Sequence, residues 1–372
     1  REQARKEGMP LAEVQHHHAH IASVLGENAI DDAVCGIAFD GTGYGIDGAI
    51  WGGEVLLANR RAFERFANFA YVPMPGGAAA IKNPLRMAYG ALWEFDLLDH
   101  PAAADALAPL GADALELCDR MIERGLNTPY TSSVGRLYDA ASALLGICTD
   151  PTYEGEPAIL LEAAIEGENE GVDNAGPSAS AEDGATVCTQ TSHSSDCSSE
   201  AHEAEGRAAE RRVAESSADA DGPDNSGRLV AESSADADAR TRYRIEIVKN
   251  TATPESTAQD TSVLLLDAAP VFKALLDDRA AGVPVGVIAR RFHDAFVQAI
   301  ADVAELCRAL YGIGTVALSG GVFMNRHLIE HALEALERAG FTVAVNRELP
   351  PNDGCVSYGQ AVVAWAANDE KA

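Results

Sequence analysis

Leu11, Val14, Ile21, Val24 and Leu25 recur at helical spacing, which gathers them on one face of an amphipathic helix. Ala33 to Phe39 is a short, partly β-branched apolar run ending at Asp40-Gly41-Thr42-Gly43-Tyr44-Gly45. It reads as a buried strand feeding a glycine turn, and Ala49 to Asn59 as its hairpin return. Ala78 to Leu98 and Ala102 to Arg124 have helical composition. Val134 to Cys148 predicts another helix, apolar at Leu137, Ala141, Leu144 and Leu145. Tyr243 to Val248 and Val263 to Leu266 are strand-like, and Val287 to Tyr311 is a long helix or helix pair. A strand (Thr315 to Leu318), a helix (Phe323 to Ala339), a strand (Phe341 to Val345) and a closing helix (Val356 to Ala367) complete the pattern. Alternating strands and helices predict an α/β layer structure with parallel pairing.

Between Glu166 and Arg240 the pattern disappears. The stretch has no Phe, Trp or Tyr and carries 18 acidic against 5 basic residues. Such a composition buries too little apolar area to offset chain entropy, so disorder is expected. The unit VAESSADAD occurs twice, at Val213 to Asp221 and Val230 to Asp238, as a slipped duplication in a tolerated surface insertion would leave it. Cys188 with Cys197 and His193 with His202 offer a weak metal set, and a solvated acidic loop is the preferred reading. The expected organisation is a first lobe over 1–165, an insertion over 166–242 and a second lobe over 243–372.

Composition narrows the partners. The 372 residues are 47% hydrophobic, enough for a sizeable core, and the formal net charge is −29. That charge argues against nucleic acid bound by counterion release. Seven scattered cysteines without a C-x-x-C pair suit a reducing compartment, so a cytoplasmic protein is expected. No run is apolar and long enough to span a bilayer, so no membrane partner is expected. The charged opening segment lacks an initiating methionine and a signal-peptide core, as if the chain were part of a longer polypeptide.

Gln15-His16-His17-His18-Ala19-His20 holds four of the ten histidines. His16 and His20 stand four apart, so a helix presents both imidazoles on one face, where two nitrogens can reach a single metal. Asp40 could ligate the same ion, while its glycines would let backbone N–H groups approach a phosphate; an Asp-Gly hairpin turn explains the same residues. Leu318-Ser319-Gly320-Gly321-Val322-Phe323-Met324-Asn325 places a Gly-Gly pair between strand and helix start, which suits a nucleotide phosphate. Asp353 in Pro350-Pro351-Asn352-Asp353-Gly354 either caps the last helix or supplies another carboxylate, and spacing leaves both open.

Taken in order, His-x-x-x-His, Asp-Gly-Thr-Gly, Ser-x-Gly-Arg-Leu-Tyr-Asp, Ser-Gly-Gly-Val and Asn-Asp-Gly resemble one family. It is the carbamoyl-transferring C-terminal half of the hydrogenase maturation carbamoyltransferases of the HypF family. These are related to the tRNA threonylcarbamoyladenosine transferases and the antibiotic O-carbamoyltransferases. The resemblance implies a two-lobed actin-like ATPase (ASKHA) α/β fold, mixed sheets flanked by helices, with the first lobe truncated at its N-terminal side. It implies His16, His20, Asp40 and Asp353 as ligands of one divalent metal, iron or zinc. It puts Gly135, Asp139, Gly320, Gly321 and Asn325 along the nucleotide, with Asp139 on ribose hydroxyls. Tyr44, Gly45, Gly76 and Gly77 would lie near the carbamoyl end. The implied reaction moves a carbamoyl group from carbamoyl-adenylate, made from carbamoyl phosphate and ATP, to a C-terminal cysteine thiol. That thiol belongs to the partner HypE, and the thiocarbamate formed on it is later dehydrated to the cyanide ligand of a nickel–iron site. The enzyme's own N-terminal half would be a second partner, making the adenylate. No cysteine of this chain is needed as nucleophile. Alternative readings are a sugar-hydroxyl or tRNA-adenosine acceptor, and a non-catalytic nucleotide- and metal-binding fragment.

Overall fold

A computed structural model of the chain describes residues 2–9, 11–166, 243–250 and 264–368. The acidic stretch, with its repeat and its cysteine and histidine pairs, lies outside the described residues.

The described strands are β1 (Val34–Tyr44), β2 (Ile50–Ala58), β3 (Phe63–Phe69), β4 (Val72–Pro73), β5 (Tyr130–Thr131), β6 (Glu246–Lys249), β7 (Leu264–Asp267), β8 (Thr315–Ser319) and β9 (Thr342–Val345). They join one mixed sheet in the order β6-β7-β3-β2-β1-β8-β9, with β5 beside β2 and β4 beside β5. β1, β2 and β3 form an antiparallel meander, and β8 and β9 run parallel to β1. Strands of 1–165 and of 243–372 therefore share this sheet, with β1 directly beside β8.

The pleat of β1 decides what each side chain meets. Cys35, Ile37 and Phe39 enter the larger core, while Val34 and Ala38 enter a smaller one with Ile21, Val24 and Leu25 of the His16–Glu27 helix. Gly36 faces that helix, and a Cβ there would sit 2.8 Å from Ile21 carbons. The same parity turns Asp40 toward the histidines. The Val356–Asn368 helix backs the histidine helix so closely that a Cβ on Gly359 would lie 1.8 Å from the Ala19 carbonyl oxygen. On the opposite face, helices Pro84–Glu94, Val134–Leu144, Ala269–Ala280, Val285–Tyr311 and Arg326–Arg338 enclose the larger core. Phe69, Phe296, Phe292 and Tyr138 are in ring contact there.

Several elements differ from the pattern-based expectation. β1 does not stop at Asp40. It runs to Tyr44 through a register shift between Phe39 and Gly43, so Asp40-Gly41 lies in a bulge and not in a hairpin turn. The helix expected over 78–98 breaks at Asn83-Pro84 into Ala78–Lys82 and Pro84–Glu94, because proline starts a helix more readily than it continues one. The helix over 102–124 is broken likewise around Pro109 and Gly111, the latter at φ +84°. β3 and the Glu156–Glu166 helix were not expected. Val285–Tyr311 is one continuous helix of 27 residues, ending at Gly312 in the left-handed region.

Candidate metal centre

Gln15 starts the histidine helix. Its Oε1 accepts from the His18 N–H at 2.8 Å, and the helix then turns His16 and His20 to the same side. His16 Nε2 lies 3.1 Å from Asp40 Oδ2 and 3.3 Å from Asp353 Oδ1, and His20 Nε2 lies 3.3 and 3.5 Å from the same two oxygens. The two imidazole nitrogens are 3.2 Å apart. The structure thus brings His16, His20, Asp40 and Asp353 together, one ligand atom from each, all within 4.8 Å of one another. Ligands bound tetrahedrally at about 2.0–2.1 Å from one ion stand roughly 3.3 Å apart. Five of the six separations already have that value within a few tenths of an ångström. The donor set therefore fits a divalent metal, and two imidazoles with two carboxylates suit iron or zinc.

The surrounding residues hold these donors in place. Asp40 Oδ1 accepts from the Gly321 N–H at 3.0 Å, which leaves Oδ2 for the cluster. His20 Nδ1 sits 3.3 Å from Cys355 Sγ and 3.5 Å from Ser319 Oγ, fixing the ring so that Nε2 faces the carboxylates. Asp353 is exposed on a 3-10 turn (Asp353–Cys355) whose N-cap is Asn352, accepting from Gly354 N. The capping role open to Asp353 belongs to its neighbour, and its own carboxylate is left for the cluster. Burial alone would lower the His20 imidazole, yet bonds to Asp353, Asp40 and Cys355 outweigh it and push it up to about 11. Burial alone would raise the Asp40 carboxyl, and the bonds from His16 and His20 hold it well below the ordinary carboxylate range. Two converging carboxylates need a cation here. Without a metal, protonated His20 supplies it. His17 and His18 turn elsewhere: His17 Nδ1 faces Gln15 Nε2 at 3.1 Å, and His18 Nε2 bonds the Asn59 carbonyl at 2.8 Å.

The residues expected along a nucleotide and at the carbamoyl end stand in different surroundings. Gly320 has φ +108°, and a Cβ on it would lie 2.1 Å from the Phe39 carbonyl oxygen, so the Gly-Gly turn locks β8 against β1. Gly135 packs on the bulge, where a Cβ would meet Gly41 Cα at 2.9 Å. Asp139 is 1% exposed, so it is not a solvated helix residue. Burial pushes its carboxyl up to about 6, against the pull of Arg136. Asn325 has both amide ends engaged: Oδ1 caps Leu328 N at 2.8 Å, and Nδ2 meets His293 Nε2 at 2.9 Å. Tyr44 is exposed at the end of β1, and Gly45 N bonds Ala49 O in the β1–β2 hairpin loop. Gly76 and Gly77, both at positive φ, form the turn after β4 and are braced by bonds to Asn127 O and Met74 O.

Sequence reasoning did not single out a second charged group beside the hairpin. Glu54, fully buried, accepts from Arg65 Nε at 2.6 Å, Ser132 Oγ at 2.5 Å, and the N–H groups of Gly52 and Gly53. Arg65 lies over the Trp51 ring at 3.8 Å and donates to Tyr71, whose hydroxyl bonds Asp47. A glutamate inside the apolar strand β2 was the available signal.

A mixed sheet with helices on both faces and a histidine–aspartate corner at its centre defines an α/β protein of the Kae1-like, actin-type ATPase class. The family model described as "carbamoyltransferase, Kae1-like domain, second subdomain" matches residues 36–217 and 229–360, so the chain belongs to that carbamoyltransferase family. It is 33% identical over 363 residues to carbamoyltransferase HypF2 of Cupriavidus necator, covering 98% of this chain and 37% of that protein. It is 28% identical over 374 residues to carbamoyltransferase HypF of Synechocystis, covering 96% and 37%. The crystal structure of full-length HypF in its phosphate- and nucleotide-bound form superposes with TM-score 0.73 at 30% identity, covering 100% of this chain and 45% of that one. The crystal structure of T. kodakarensis HypF gives TM-score 0.65 at 27% identity, covering 97% of this chain and 37% of that one. The chain thus spans little more than a third of the length of these curated relatives. Among the described residues, no helix is long and apolar enough to cross a membrane.

Proposed function

We propose that this chain is the carbamoyl-transferring part of a HypF-type enzyme of hydrogenase maturation. The observation that carries the proposal is the convergence of His16, His20, Asp40 and Asp353 in a chain of this family. A divalent metal held by these four residues would supply positive charge for nucleotide phosphate oxygens and act as a template. The substrate in this reading is carbamoyl-adenylate, made from carbamoyl phosphate and ATP by another part of the enzyme. The acceptor is the C-terminal cysteine thiol of HypE. The thiolate sulfur attacks the carbamoyl carbon, the bond from that carbon to the phosphate oxygen breaks, AMP leaves, and the thiol proton passes to solvent. The partner supplies the sulfur, and Cys355, fully buried against His20 and Ser319, is not required as a nucleophile. A mixed carbamic anhydride hydrolyses readily, so the site must orient it and keep water away. Gly320 and Gly135 contribute by pressing the surrounding backbone together.

The test supplies the chain with carbamoyl-adenylate and HypE and follows the intact mass of HypE. Addition of one carbamoyl group at the terminal cysteine, lost in Asp40→Asn, supports the proposal. Folded, metal-loaded chain that leaves HypE unmodified refutes it. Carbamoylation of a sugar hydroxyl or of tRNA in the same assay would reassign the acceptor.

A further inference from the structure

The Val134–Leu144 helix concentrates polar atoms that are buried without a hydrogen-bond partner: Arg136 Nε and Nη1, Tyr138 Oη, Asp139 Oδ1 and Ser142 Oγ. Such atoms cost stability wherever packing alone sets the sequence, so their clustering points to a further role. Arg136 is the most informative. Its side chain is 2% exposed, with Nε 3.1 Å from Asp139 Oδ2 and Nη1 3.5 Å from Glu154 Oε1. Neither contact has hydrogen-bond geometry.

The guanidinium lies over the bulge beside the metal centre. A Cβ on Gly41 would stand 3.5 Å from Arg136 Nη2 and 3.6 Å from Glu154 Oε1. Gly41 directly follows the ligand residue Asp40, and its lack of a side chain leaves room between backbone, guanidinium and Glu154. The N-cap of the same helix holds this backbone in place: Ser133 Oγ donates to the carbonyl oxygens of Asp40 and Gly41, each at 2.7 Å. The guanidinium favours an anion at this point.

We infer that Arg136 binds a phosphoryl oxygen of the nucleotide beside Gly41, and that Glu154 is a displaceable counter-ion which the phosphoryl group replaces. This rests on the nucleotide reading given above. Glu154 is mostly exposed and its carboxylate is a loose partner at 3.5 Å, so little opposes its exchange. A phosphoryl oxygen at this spot meets the N–H groups that Glu154 leaves unbonded, and the geometry of a charge-assisted bond becomes available.

Calorimetric titration of the whole chain with ATP and, separately, with adenosine tests the inference. The variants are Arg136→Gln, Arg136→Lys and Glu154→Gln. Arg136→Gln should lose ATP affinity by at least about 10-fold while adenosine affinity stays within about 2-fold of wild type. Arg136→Lys should recover part of the loss. Glu154→Gln, at an exposed position that leaves the fold intact, should tighten ATP by about 2- to 5-fold, since a competing charge is removed. Unchanged ATP binding in both Arg136→Gln and Glu154→Gln overturns the inference, as does an equal fall for ATP and adenosine. Wild-type chain that binds neither ligand overturns the nucleotide reading as well.

Discussion

The β1–β2 hairpin carries buried charge in two opposite ways. Glu54 of β2, paired with Ala38, and Asp47 of the loop are satisfied by the protein itself. Each carboxylate oxygen has a donor: Gly52, Gly53 and Ser132 on one Glu54 oxygen and Arg65 on the other, Ala49 and Trp51 on one Asp47 oxygen and Tyr71 on the other. At the bulge, two carboxylates and two imidazole nitrogens converge on one point, one atom from each. Both groups are polar, partly or wholly buried, and fixed by neighbouring backbone. The first closes on itself and builds the loop; the second asks for a cation from outside. Burial of charge alone does not mark a site, whereas donors of one kind facing one another do.

Gly359→Ala forces a Cβ into the Ala19 carbonyl and should destabilise the fold by more than about 3 kcal/mol or prevent it, read as a lost or strongly lowered thermal transition. Glu54→Ala leaves Arg65 buried without its carboxylate and should cost about 3–5 kcal/mol in denaturant unfolding. Its folded fraction should still bind metal, which separates the loop network from the metal corner.

Asp139→Asn probes the helix between them. The Asp139 carboxyl sits near 6 in the fold and lower when unfolded, so the folded state holds the proton more tightly. Its contribution is therefore present at low pH and lost as pH rises through that interval, by about 2 kcal/mol. The variant should abolish that fall, and an unchanged stability profile between pH 4 and 6, by the same principle about the width of the interval, would contradict the assignment. The smallest effect on stability is expected from His16→Ala, less than about 1 kcal/mol in metal-free protein, because the ring is partly exposed (22%) and packs into no core. Its metal affinity should nevertheless fall by more than about 100-fold, beyond what loss of a supporting residue causes.

What the sequence made legible follows from geometry that needs no tertiary knowledge. Spacing of four on a helix turned His16 and His20 into neighbours, while Asp40 was read as a turn residue and joined them through the family resemblance. Asp353 could be placed with them only through the family resemblance, since it arrives from the far end of the chain. Pro84, Pro109 and Gly111 were readable breaks that a composition-level reading ran through. The Glu54–Arg65 pair needed the β2–β3 pairing, which brings residues 54 and 65 together only once β3 is recognised. Gly359 against Ala19 is a contact between helices from opposite ends of the chain, and nothing local announces it. Asn325 entered through the family resemblance, and the sequence does not show the two partners its amide meets in the fold.

X-ray absorption on chain loaded with iron or zinc tests the metal corner most directly. Two nitrogen and two oxygen ligands from the protein are predicted at about 2.0–2.1 Å, with one imidazole lost from the spectrum of His16→Ala. A first shell of water oxygens or sulfur that His16→Ala leaves unchanged would contradict it.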